Sequence, residues 1–258
     1  MAFVKVVDLS ADEDEAFYEL VSLRAEIGIQ YLLKGLNLDE ERATELLSAE
    51  DDNNLTQQDR DIRDRLIAGI DNIVEFSVCE EYQAISDIPE DFDMDDPEDM
   101  ERLEEISDTY HLRYAAVENA DIQYAAEIAY KWAVLWSAAT WVTYMTMNDD
   151  RVRPWHRQLE GYSAPRDMFP EWMIPPIEWG CRCYLEDQAG NSVQNKAIPD
   201  VLAKAPEKPK QIDGVFSESL AKCGRIFSKS HPYFKVKPEH KEKLAGYVER
   251  LKQYYHAS

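Results

Sequence analysis

Only two of the twelve prolines in this chain, Pro89 and Pro97, precede Asn148. A proline inside a helix removes a backbone donor and clashes with the turn before it, so Pro154, Pro165, Pro170, Pro175 and Pro176 exclude any long helix from the stretch after Asn148. The proline-poor part before it is free to be helical, and its apolar spacing supports that. Ser10-Ala-Asp-Glu13 reads as a capping box. Phe17, Leu20, Val21, Leu23, Ile27, Tyr31 and Leu32 then recur at helical spacing, which predicts a helix over 12–34 that stops near Gly35. A short helix is expected over 38–49, and Thr56 caps a third whose stripe includes Ile62, Leu66, Ile70 and Ile73.

The acid run from Ile88 to Met100 holds two prolines and few apolar residues, and reads as a solvated linker or loop. It lacks the glycine and ligand spacing of a calcium-binding EF-hand loop. From 100 to 145 a long helical region is expected, broken at most once, with Ile128, Trp132, Leu135, Trp136, Ala139 and Val142 on one wide apolar face. Trp132, Trp136 and Trp141 read as core rather than as a ligand platform, since aromatics dominate buried area. Beyond Asn148 the pattern predicts a compact, loop-rich unit with short strands, a polar surface excursion over 191–213, and a final amphipathic helix started by Pro238 and running through Tyr247, Leu251 and Tyr254.

The fold class expected is therefore α+β, mainly α: a helical N-terminal region, a loop-rich unit with short strands, and a C-terminal helix. With 258 residues and 45% hydrophobic content the chain can bury a real core. Three regions are read: 1–110 as an acidic helical docking region, 111–236 as the unit that carries the distinctive motifs, and 237–258 as the C-terminal helix.

The net charge of −23 is unevenly placed, with 33 acids and 8 bases in residues 1–110 against 18 and 20 in the remainder. Such a surface repels a polyanion, which argues against the first part gripping nucleic acid directly; a basic partner and a merely solvated helical face both remain open. Lys222, Arg225, Lys229, Lys235 and Lys237 are the better candidates for a patch facing DNA. The N-terminus shows no export signal, which sets the expectation of folding in a cytoplasm. The longest uncharged stretch, Trp132–Asn148, is too short and too rich in hydroxyls for a membrane span.

Cys79, Cys181, Cys183 and Cys223 are too few for a disulfide scaffold. In extended chain Cys181 and Cys183 project to one face and Arg182 to the other, and Asp149, Arg151 and Arg153 likewise share a parity. Two thiolates with His156 and His231 have the composition of a structural zinc site. Buried thiols beside a hydrogen-bonded histidine, or a disulfide, are the other readings of the pair. An Asp–Arg network that holds the loop unit together is favoured over contact with DNA phosphates. No phosphate loop, nucleophile elbow or zinc-protease helix is present, and His156 with Cys181, drawn as base and nucleophile, has no recognisable orienting third group, so no enzyme is expected.

Three clusters carry a resemblance: Asn148-Asp-Asp-Arg-Val-Arg-Pro-Trp-His156, then Pro175-Pro-Ile-Glu-Trp-Gly-Cys-Arg-Cys183, then Gly224-Arg-Ile-Phe with Ser230-His-Pro-Tyr-Phe234. In this order they resemble the Mu F-like minor head proteins of tailed phages, the phage head morphogenesis family, in which an Asp-x-Arg-Val-Arg-x-x-His segment follows a long helix and precedes a proline-rich stretch ending in Cys-Arg-Cys. Members commonly show Asn-Pro-Gly-Lys ahead of the last cluster, where this chain reads Leu220-Ala-Lys-Cys223. The resemblance does not extend to residues 1–110. It implies a non-catalytic protein held in few copies inside the head near the portal, present in the host cytoplasm during assembly. The portal protein and other head proteins are its implied partners, phage DNA is a further one, and no membrane or small-molecule substrate is implied. A DNA-associated internal protein that leaves with the genome is the alternative. Some members are fused to toxin domains, for which the two dozen residues after His-Pro-Tyr-Phe leave no room. Asp149, Arg151, Arg153, His156, Trp179, Arg182, Pro232 and Tyr233 are the motif residues that the resemblance marks.

Overall fold

The computed structural model describes residues 13–49, 54–187 and 214–257. The Ser10 capping box and the excursion over 191–213 lie outside the described residues.

Helix α1 (Glu13–Gly35) turns Phe17, Leu20, Val21 and Leu32 inward, as the spacing predicts, but Leu23 and Ile27 are exposed. The inward stripe runs instead through Arg24 and Gly28, residues that an apolar pattern does not register. At Gly28 a Cβ would sit 2.8 Å from the Ile73 side chain, so the missing side chain is what lets α1 lie so close to the third helix. Helix α2 (Glu40–Leu47) is capped by Asp39, whose carboxylate accepts from the Arg42 N–H. Helix α3 (Gln57–Ser86) begins at the expected Thr56, which forms a complete capping box with Asp59.

The acid run is only in part a loop. Asp96 caps helix α4 (Pro97–Asp108) by accepting from the Glu98 N–H, and Pro97 occupies the first helical position, where its missing donor costs nothing and its fixed φ is already helical. The acids that suggested solvated coil are those that favour a helix N-terminus. The chain stays helical through a wide π turn at Thr109–Tyr114, helix α5 (Ala115–Tyr130) and a second π turn at Lys131–Leu135.

There the expected long helix ends early. Trp136 is extended (φ −111°, ψ 123°), and Trp141–Met145 forms strand β1 rather than a last helical turn. Aromatic and β-branched residues fit a pleated, half-buried surface, and a short apolar run reads equally well at either period. Strand β1 is the centre of a three-stranded antiparallel sheet of order β2-β1-β3, where β2 is Ser163–Pro165 and β3 is Tyr184–Asp187. The register pairs Val142 with Ala164 and Tyr144 with Leu185, which puts these four buried side chains on the core side. Between β1 and β2 lies the one-turn helix α6 (Pro154–Arg157), and helix α7 (Lys241–Ala257) closes the described chain after a short 3-10 turn at Pro238–His240.

One contiguous core runs from Phe17 to Leu251 and joins the N-terminal helices to the sheet unit and to α7. Inside it Arg24 donates to Glu80 on α3 and to Glu118 and Asn119 on α5, all four buried. Among the described residues no helix is long and apolar enough to cross a membrane.

Candidate functional site

Asn148 has φ 50°, and after it the chain turns into α6 instead of forming the expected strand. The shared parity of Asp149, Arg151 and Arg153 is therefore lost. Arg151 is exposed and donates only its backbone N–H to the Asp149 carboxylate, at 3.1 Å. Asp149 pairs with Arg182 at 2.8 Å, and that guanidinium holds its carboxyl below the usual range. Arg153 pairs with Glu178 at 2.9 Å and also donates to the Trp179 carbonyl. Acid–arginine pairs thus clip the two motif segments together, with partners the sequence alone did not match.

Proline 154 starts α6, and this single turn buries His156. The Cys-Arg-Cys segment returns alongside it. Gly180, at φ 61°, takes the left-handed turn that glycine adopts without steric cost. Its N–H donates to both carboxylate oxygens of Asp121 on α5, at 2.9 and 3.2 Å. Tyr124, one helical turn further, donates its hydroxyl to the Cys183 carbonyl. The predicted alternation holds: Cys181 and Cys183 are buried, and Arg182 turns outward to Asp149.

His156, Cys181 and Cys183 converge, their ligand atoms all within 4.8 Å of one another. His156 Nδ1 is 3.3 Å from the Cys183 sulfur and 3.8 Å from the Cys181 sulfur, and Nε2 is 3.0 Å from Glu178 Oε2. An ionised carboxylate can only accept, so Nε2 carries the proton and the Nδ1 lone pair faces the sulfurs. The two thiols differ. Their mutual hydrogen bond, together with burial, pushes Cys181 well above the ordinary thiol range. The same bond lowers Cys183 to about 7 against burial, helped by the Tyr144 hydroxyl and by Arg153 and Arg182.

Glu178 is the orienting third group that the sequence did not reveal. It lies inside the Pro-Pro-Ile-Glu-Trp-Gly segment, but nothing in that spacing says that it will meet a histidine 22 residues earlier. Asp121 was missed as well, and its signal was a polar residue beside Ile122 and Ala125 on a buried helical face. Cysteine, histidine and glutamate in a row could act as nucleophile, base and orienter. His156 is 2% exposed, Cys183 3% and Cys181 4%, so the three side chains meet inside the core.

His231 stands apart from this cluster. Its Nδ1 accepts the Tyr233 N–H at 3.1 Å and so caps the Pro232–Phe234 turn. Its ring packs against Phe76 on α3, Trp179, Phe227 and Tyr233. Pro232 is exposed, while Tyr233 is buried and donates to Glu118 at 3.2 Å. Among the proposed basic patch, Lys222 donates to the Phe169 carbonyl and Arg225 pairs with Glu75, whereas Lys229, Lys235 and Lys237 are exposed.

Residues 92–186 match the model of the family described as Phage Mu protein F like protein, and over that segment the chain is Mu F-like. The matched segment holds the first two motif clusters and ends before the third. A Mu-like prophage F protein of Haemophilus influenzae is 39% identical over 57 residues, which is 21% of this chain and 14% of that protein. An uncharacterized protein of Methanocaldococcus jannaschii is 50% identical over 44 residues, 17% of this chain and 7% of that one. The chain therefore aligns with only a small part of each of these relatives. No solved structure matches it.

Proposed function

We propose that this chain, Mu F-like over residues 92–186, is a minor structural protein of a tailed-phage head that sits at the portal and acts in head assembly and in genome packaging or delivery, without catalysis of its own. The observation that carries the reading is the burial of the chemistry-bearing motif residues. His156, Cys181 and Cys183 face one another inside the core, so what this segment offers a partner is a rigid surface and not a reaction centre.

Residues 1–110 supply the docking region in this reading, 111–236 the loop-rich unit that carries the motifs and 237–258 a closing helix, and the Mu F-like match at 92–186 runs across the first of these boundaries. Acidic surface favours a basic partner through long-range attraction. On α4, Glu98, Glu101, Glu104 and Glu105 are all exposed. The protein resides in the head, and in the host cell while heads assemble.

Co-purification of the portal protein of the same phage with the tagged full chain tests this, beside a Glu101→Lys, Glu104→Lys, Glu105→Lys variant. The parent retains the portal protein and the variant loses it in a salt-dependent way. If the parent recovers none, the portal assignment is wrong. If the variant binds as the parent does, this acidic surface is not the dock. Salt-sensitive binding of duplex DNA by the full chain would favour the alternative, an internal protein that travels with the genome.

A further inference from the structure

We propose that His156 Nδ1 and the sulfurs of Cys181 and Cys183 hold one Zn²⁺, with Glu178 as the positioning residue behind the histidine and His231 outside the site. The geometry carries it. A tetrahedral zinc with Zn–S of about 2.3 Å and Zn–N of about 2.1 Å requires its nitrogen and sulfur ligands to stand about 3.6 Å apart. The two N···S separations here, 3.3 and 3.8 Å, bracket that value before any ion is placed.

The surrounding shell is the one a zinc-bound histidine needs. Glu178 Oε2, 3.0 Å from Nε2, fixes the tautomer that leaves Nδ1 free to ligate. Arg153 at 2.9 Å and the Trp155 indole N–H at 3.2 Å hold that carboxylate in turn. Asp121 and Tyr124 pin the backbone of the cysteine segment at Gly180 and Cys183, so the sulfurs are presented by a fixed loop.

Charge balance points the same way. On binding, each thiol releases a proton to solvent, and two thiolates with a neutral imidazole bring Zn²⁺ to zero net charge, which suits a buried position. A neutral oxygen in the fourth position would complete the tetrahedron without adding charge. Soft sulfur with imidazole selects zinc over calcium or magnesium.

The full chain, purified under reducing conditions without a polyhistidine tag, is measured for metal content and, after chelation, titrated with Co²⁺ as a spectroscopic probe. One equivalent of zinc is expected, and the cobalt form should show thiolate charge-transfer and tetrahedral d–d bands. Cys181→Ser and Cys183→Ser abolish the charge-transfer band or reduce it by half, and His156→Gln weakens binding. Glu178→Gln lowers zinc affinity about 10- to 100-fold with the cobalt spectrum retained, as expected of a group that orients a ligand. His231→Asn leaves both metal content and spectrum unchanged. Parent protein that carries no zinc and gives no cobalt bands overturns the proposal, and because that readout uses the parent it holds even if a variant fails to fold. Loss of the bands in His231→Asn, with the fold intact by circular dichroism, would overturn the assignment of ligands.

Discussion

Arg24 Nε lies 2.6 Å from Glu80 Oε2, with both side chains almost wholly out of solvent. The same guanidinium reaches Glu118 at 2.9 Å, so one cation holds two carboxyls between α1, α3 and α5. Glu118 also accepts the Tyr233 hydroxyl, which ties the His-Pro-Tyr-Phe segment to this centre.

Replacing Arg24 with Met strips the counterion from Glu80 and Glu118 and leaves them buried. Breaking a buried pair from one side costs about 3–5 kcal/mol. Burial already pushes the Glu80 carboxyl well above its usual range, with Arg24 pulling it back, and removing Arg24 raises it further. Glu80 keeps its proton in the folded parent until pH passes its raised value, so the deficit of Arg24→Met should stay level below that point and grow above it, where the parent's carboxylate ionises beside Arg24 and the variant's does not. Urea denaturation of parent and variant across the pH range measures it. A deficit that grows already from the unfolded carboxylate range would show that Glu80 is ionised beside Arg24 there.

Helix packing gives a second expectation. A Cβ at Gly35 would stand 2.4 Å from the Gln123 carbonyl oxygen and 2.5 Å from the Ala126 Cβ, contacts that only a shift between α1 and α5 can relieve. Overpacking of this kind costs about 1–3 kcal/mol. Gly246 on α7 has nothing within 4 Å of the same position, and alanine there should stabilise by about 0.4–1 kcal/mol, because it restricts the unfolded chain. Opposite shifts in melting temperature for Gly35→Ala and Gly246→Ala check both.

These cases show what the sequence could and could not convey. Apolar period and caps marked α1, α3 and α7 because those signals are local: Thr56 and Asp59 are three residues apart. Arg24 on the inward face of α1 was invisible, since its partners lie 56, 94 and 95 residues away and pattern reading counts arginine as surface. The segment of strand β1 reads as helix because Trp141, Val142 and Tyr144 satisfy either period, and what decides between them is pairing with β2 and β3, which come later in the chain. At the site, residue type marks His156, Cys181 and Cys183 as candidate ligands. Residue type groups His231 with them, but among the described residues the structure brings together His156, Cys181 and Cys183 without it. The role of Glu178 was hidden, because a loop without periodicity gives no rule for what it will face.

The anchoring of the cysteine segment is unequal between its two carboxylates. Asp121 is buried and accepts the Gly180 N–H with both oxygens, whereas Asp149 pairs with Arg182 at the surface. Asp121→Ala removes both acceptors of that N–H and the tie between α5 and the cysteine segment, and since Gly180 itself is exposed and water can replace the acceptor, it should cost about 0.5–1.5 kcal/mol. An exposed ion pair contributes little because water competes for both partners, so Asp149→Ala should melt near the parent. Equal losses in the two variants, by thermal denaturation followed by circular dichroism, would contradict this ranking.

The final expectation concerns acid. Burial among Phe76, Trp179 and Phe227 lowers His231 from 6.5 to about 4, so the folded protein keeps the ring neutral. In the unfolded chain the same group titrates near its ordinary value of about 6.5. Between these two values the unfolded state binds the extra proton, and stability must fall as pH falls. The contribution is fully present above about 6.5 and is lost progressively toward 4, with a loss on the order of 2–3 kcal/mol. His231→Asn keeps an oxygen to accept the Tyr233 N–H and removes the titration. Tyr233, the titratable side chain whose ring packs on His231, stays neutral throughout this range, since burial raises it. Carboxylates elsewhere are common to both proteins and cancel in the difference. Urea midpoints at pH 7.5 and 5.0 should therefore fall further for the parent than for the variant, and parallel slopes would mean that the His231 ring is already charged, or is reached by water, in the folded protein.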